Sequence, residues 1–257
     1  MHQTHNLQQR MRLFISIFLP ILIYQLANFS ASFVDTTMTG QYDTLHLAGV
    51  SMATSLWIPF FDLLIGIVSA LVPIIGHHLG QGKKEKIASD FYQFIYLSLG
   101  LSLILFALVF VGAPLVLAHL GLEPLVEEVA KNYLWHLVLG IIPLLLFSTI
   151  RSLFDALGLT KLSMYLMLLL LPLNGSFNYA LIYGAFGFPE MGGAGAGLGT
   201  SLAYWVLLLI SLLVAVKHPK IRAYELWKIR PLDKKSLIEG VRLGLPIGGT
   251  FFAEVVV

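Results

Sequence analysis

The chain has 257 residues, of which 57% are hydrophobic and 12% charged, with a net charge of +2 and no cysteine. Soluble domains run at about 45–50% apolar and about 25% charged, so both departures point to a chain dissolved in lipid. The small net charge argues against nucleic acid as a partner, and the missing cysteines exclude disulfides and thiolate metal sites.

A spanning helix needs about 20 mostly apolar residues. Taken in chain order, six complete stretches qualify: 13–39, 48–79, 88–119, 130–157, 162–184 and 193–216. A seventh, 238–257, runs into the end of the chain. The polar start MHQTHNLQQRMR is followed by a long apolar run without a small-residue cleavage site, so that run reads as a retained first span and not as a signal peptide. The breaks carry turn or charge signals, among them Gly82-Lys83-Lys84-Glu85-Lys86 and Gly121-Leu122-Glu123-Pro124. The most polar break, 217–237, is the expected boundary between a six-helix unit (1–216) and the start of a second (238–257). The fold class expected is an all-α polytopic membrane protein.

Charge gives an orientation. Fourteen of the 16 Lys and Arg residues fall on one side of this span pattern. Lys131 lies at the opposite face, and Arg242 just inside the seventh span. The positive-inside rule then places the N-terminus and the 217–237 loop in the cytoplasm. Leu19-Pro20-Ile21 in the first span recurs as Leu245-Pro246-Ile247 in the seventh, the placing expected of a six-plus-six parallel repeat.

Ionisable groups within a span are costly and mark function by default. Asp35, Asp62 and Glu254 qualify. Asp35 reads either as a proton- or cation-binding carboxylate facing a water-filled cavity or as a helix-end residue at the interface; its membrane-like flanks favour the first. Asp62 follows Pro59 and is a possible relay or a partner for a freed backbone group. Asp155, four residues after Arg151, reads as half of an i,i+4 ion pair. Asn174 and Asn178 stack on one helical face, which suits either interhelical hydrogen bonding or a ligand site beside a bend at Pro172 and Gly175. The glycines of 192–199 suit close helix packing, with Thr200 one turn deeper. Counted by depth, Asp35, Asn174, Asn178 and Thr200 all fall between the midplane and the outer surface, so they are expected to converge as an oxygen cage for a monovalent cation or as a proton carrier. The adjacent His77 and His78 read as interfacial and not as a metal site. No catalytic triad and no phosphate-cradling loop is present, so neither an enzyme nor a cofactor is expected.

These residues resemble the multidrug and toxic compound extrusion (MATE) family, in its NorM-like branch. The likeness rests on Pro20 with Val34-Asp35-Thr36-Thr37-Met38-Thr39-Gly40, and on Gly66 with Ala70-Leu71-Val72-Pro73-Ile74-Ile75-Gly76 and Gly80-Gln81-Gly82. It rests also on the Asn174/Asn178 pair, the glycine-rich opening of the sixth span, and Leu245-Pro246 followed by Glu254. The resemblance implies a twelve-helix, two-lobe exporter of cationic amphipathic drugs in the plasma (inner) membrane, driven by Na+ or H+. It assigns Glu254 to sodium coupling in the second lobe, inside which this chain ends. Two rival readings are a lipid-linked oligosaccharide flippase, which calls for Lys or Arg in the cavity, and a seven-helix receptor, whose N-terminus lies outside.

Overall fold

The computed structural model describes residues 6–257; the first five residues of the polar start lie outside the described residues. Among the described residues every regular element is helical. Helix α1 (Leu7–Tyr42) runs through Pro20. Asp43 ends it and caps α2 (Thr44–Ser69), its carboxylate accepting the Leu45 and His46 N–H groups at 2.7 and 3.2 Å. A break at Ala70 separates α2 from α3 (Leu71–Gly80). Its local cause is Pro73, which has no N–H for the Ser69 carbonyl. Then come α4 (Lys86–Ala118), α5 (Pro124–Val138), α6 (Ile141–Ala156) and α7 (Thr160–Tyr183). A 3₁₀ turn (Ala185–Gly187) leads to α8 (Gly193–Lys217), the short α9 (Pro219–Arg222) and α10 (Lys234–Val256).

Four single helices and the α2–α3 run are long and apolar enough to cross a membrane, and the bent pair α5–α6 passes the same test only when taken together. The chain is a multi-pass membrane protein. The outer face of α4 exposes Leu103, Ile104, Leu108, Val111 and Leu115, one helical face presented to lipid. By contrast α6 is central, and Ile141, Leu145, Phe147, Ile150, Leu153 and Phe154 are all buried.

The expected single span 130–157 is instead two helices bent by 47°. Pro143 cannot donate to the Leu139 carbonyl, and α8 supplies the missing donors. The Trp205 indole N–H donates to that carbonyl at 3.1 Å, and the Ser201 hydroxyl lies 2.6 and 3.1 Å from the His136 and Leu137 carbonyls. Gly140 allows the approach, since a Cβ there would lie 2.7 Å from the Ser201 Cα. Helix α7, in contrast, continues unbroken through Pro172 and Gly175.

Close packing sets where α8 sits. A Cβ on Gly195 would lie 2.6 Å from the Leu181 carbonyl oxygen of α7. At the N-terminal end of α8, Gly192 adopts φ +63°, and the Gly193 N–H donates to His46 Nδ1 at 2.9 Å. Tyr42 donates to Glu190 and Tyr183 to the Met38 carbonyl, both at 2.8 Å, so α1, α7 and α8 share one anchored end. Helix α10 docks on α2, where Gly244 faces the Ile67 carbonyl and Phe252 packs on Phe60.

Overpacking the α7–α8 contact gives a stability prediction. Gly195→Val is expected to cost about 1–3 kcal/mol. Gly175→Ala, which meets open space, should leave the melting temperature in detergent within a degree or so of the parent or raise it slightly. Equal melting temperatures for the parent and Gly195→Val contradict the packing account.

Candidate functional site

The polar centre of the fold lies where α1, α7 and α8 meet. Asp35 of α1 is 7% exposed, Asn174 and Asn178 of α7 are 1% and 0% exposed, and Thr200 of α8 is half-buried. Asp35 Oδ1 accepts from Asn174 Nδ2 at 3.1 Å and from Asn178 Nδ2. The Thr200 hydroxyl lies 2.9 Å from Asp35 Oδ2 and 3.2 Å from Asn174 Oδ1, and its single proton serves one of them at a time. Four residues spread over 165 positions of sequence thus come together, as their depth and spacing predict.

Their arrangement corrects one expectation. The two amides turn nitrogen, not oxygen, toward Asp35, so the group is a nest of donors around a carboxylate and not an oxygen cage. The reason is charge, because a carboxylate draws N–H and O–H groups. Asn178 Oδ1 is buried without a hydrogen-bond partner.

Among the described residues no Lys, Arg or His lies within 4.0 Å of Asp35. Neutral donors alone surround it. A buried carboxylate is normally paired or neutralised, and among the described residues no basic side chain does so here.

The site opens onto a cavity of about 600 Å³. Phe29, Phe33, Trp57, Phe61, Tyr133 and Tyr204 line its walls with aromatic surface, Asp35 and Asp62 supply two carboxylates, and no Lys or Arg lines it. The bend at Leu139–Gly140 brings Tyr133, Leu137 and Gly140 to one wall, next to Thr200 and Ser201.

The family model MatE matches residues 20–180, more than half of the chain. The chain belongs to the MatE family. It is 70% identical over its full length to the probable multidrug resistance protein NorM of Streptococcus pneumoniae serotype 4. It is 40% identical, over 99% of its length, to the protein of the same name from Halalkalibacterium halodurans. The chain spans about half the length of these curated relatives, 57% and 56% respectively. Among solved structures it resembles a eukaryotic MATE transporter (TM-score 0.79, 19% identity, covering 96% of this chain and 54% of that one). It also resembles an outward-facing multidrug resistance MATE family transporter (TM-score 0.74, 20% identity, covering 91% and 51%). Identities this low speak to the fold alone.

Within this MatE chain the other candidate carboxylates fall elsewhere. Asp62 lines the same cavity as Asp35 but is outside the donor nest. Glu254 is exposed on α10 and is not brought to Asp35. Asp155 pairs with Arg151 at 3.6 Å and accepts from Ser163 at 2.7 Å, a structural role. His77 and His78 diverge, as adjacent helical residues must. His77 lies 3.0 Å from the Gln81 amide nitrogen, and His78 is 2.5 Å from Asp90 of α4. The aromatic wall, Tyr133 and Tyr204 included, was not singled out from sequence. The bend that positions them had a visible signal in Pro143.

Proposed function

We propose that the chain is the first lobe of a multidrug efflux antiporter, which exports cationic amphipathic compounds in exchange for Na+ or H+ by alternating access. One observation carries the reading: a buried carboxylate held only by neutral donors, beside an aromatic cavity that has carboxylates and no Lys or Arg. Aromatic faces and carboxylates attract a delocalised cation, and the same Asp35 charge is available to a coupling ion. The two cations compete for one negative charge, which is what exchange requires. The relatives named for multidrug resistance support this reading. A lipid-linked oligosaccharide calls for cationic side chains that this cavity does not have.

The proposed topology has the N-terminus in the cytoplasm, 1–216 as the first lobe, 217–237 as the inter-lobe loop, and 238–257 as the start of the second. The test is efflux of a permanently cationic dye from proteoliposomes containing the full-length transporter, under separately imposed Na+ and proton gradients. Efflux driven by either gradient supports the proposal. Transport of neutral or anionic solutes only contradicts it.

Glu254 is proposed as a second cation site, belonging with the second lobe. In full-length Glu254→Gln, sodium-driven efflux should fall about tenfold or more, in line with the loss of a charged ligand. A proton-driven component should fall less. Unchanged sodium dependence removes Glu254 from the coupling path.

A further inference from the structure

The segment between α8 and α10 is the most polar of the chain, yet it does not hang free. Helix α4 holds it by its backbone. Tyr92 donates its hydroxyl to the Leu226 carbonyl, and Tyr96 donates to the Arg230 carbonyl. The Gln93 amide works both ways, donating to the Pro231 carbonyl and accepting the Asp233 N–H, each at 2.9 Å. These holding residues occupy one turn of α4, within its uncharged run 91–118 and just where the stretch 95–118 begins. That stretch is about 36 Å long at about 1.5 Å per residue, enough for a hydrocarbon core of about 30 Å. The segment is therefore fixed at the depth of the membrane–water boundary, where Tyr and Trp concentrate.

What the segment shows outward matches that depth. Trp227, Ile229 and Leu232 are 59%, 78% and 53% exposed. They alternate with Lys228 and Arg230 along Trp227-Lys228-Ile229-Arg230-Pro231-Leu232. The run 217–237 has seven basic and two acidic residues. Both acids are engaged: Glu225 pairs with Lys228 at 2.9 Å, and Asp233 caps α10, accepting from the Lys235 N–H and the Ser236 hydroxyl. Among the described residues the other six basic side chains have no carboxylate within 4.0 Å. Unpaired cations interleaved with exposed apolar side chains at headgroup depth fit a surface of anionic lipid.

We infer that the 217–237 segment is a lipid-binding strap, held by Tyr92, Gln93 and Tyr96 from within and docked by Trp227, Ile229, Leu232 and its free basic residues onto anionic headgroups. The inter-lobe connection then carries a membrane contact of its own, and lipid charge biases the segment that joins the lobes. The inference rests on the multi-pass reading and not on which side the segment faces.

The chain contains no cysteine, so a nitroxide can be placed on Ile229→Cys, with Leu232→Cys as a second position if the first folds poorly. The labelled protein is reconstituted into phosphatidylcholine vesicles with and without phosphatidylglycerol, the same mixture in both leaflets, so that the sidedness of the loop does not enter. Collision with lipid-soluble oxygen and with a water-soluble nickel chelate is then measured. The expected result is high oxygen and low nickel accessibility in the anionic vesicles, reversing toward water exposure in neutral ones. Each of Lys234→Gln and Lys235→Gln should lower the inserted-to-free ratio about fivefold. Equal readings in both lipids overturn the inference, as does a label shielded from both reagents, which puts protein and not lipid over the segment.

Discussion

Asp35→Asn is expected to abolish cation-coupled efflux while leaving the fold in place. Asparagine has the shape of aspartate. Its Oδ1 still accepts from Asn174 and Asn178, and its new N–H₂ faces Thr200, whose hydroxyl has a second acceptor in Asn174 Oδ1 at 3.2 Å. Hydrogen bonding therefore survives the exchange, but the negative charge does not. Losing one partner of a buried charge interaction costs about 2–5 kcal/mol, so coupled efflux should fall at least about thirtyfold. The measurement is dye efflux from proteoliposomes together with a detergent melting curve. Parental efflux from a normally folded Asp35→Asn protein removes Asp35 from the mechanism, whereas lost efflux with a collapsed melting temperature points to structure and not to coupling.

Asn178→Leu should produce the next largest effect. Leucine has the branched outline of asparagine, with bulkier methyl ends, but donates nothing, so Asp35 Oδ1 is left with Asn174 alone. Leaving a buried polar group short of a donor costs about 1–3 kcal/mol, and more when it is charged. The substitution also removes the unpartnered Asn178 Oδ1 that a cation would engage. Efflux is expected to drop about tenfold or more, and the midpoint of its ion dependence should move. A general packing defect would lower the rate without moving that midpoint, so an unchanged midpoint contradicts a role for Asn178 in holding the ion.

The sequence carried most of this site because depth in a membrane can be counted. Apolar runs set the spans, and a rise of about 1.5 Å per residue placed Asp35, Asn174, Asn178 and Thr200 in one layer. The i,i+4 spacing of the asparagines put both amides on one face. Three things stayed hidden, each decided by a partner far along the chain. The α5–α6 bend depends on Trp205 completing the Leu139 carbonyl that Pro143 leaves open, and on Ser201 reaching the His136 carbonyl beside it. Whether the amides present nitrogen or oxygen depends on the charge they meet, which residue type alone does not state. The 217–237 segment reads as a solvated loop until Tyr92, Gln93 and Tyr96 are seen holding its backbone. Glu254 was legible as a carboxylate within a span, but its exposure follows from how α10 docks on α2.

Substrate and coupling ion are proposed to compete for the charge of Asp35. Equilibrium binding of a permanently cationic dye, followed across pH and across Na+ concentration, tests this most directly in purified parent and Asp35→Asn proteins. Exchange against one ion at one carboxylate gives a slope approaching tenfold in affinity per tenfold change in that ion where the carboxylate is occupied by it. The account predicts such a slope against H+ or Na+ in the parent, and weak dye binding with no slope in Asp35→Asn. The same slope in both proteins contradicts it.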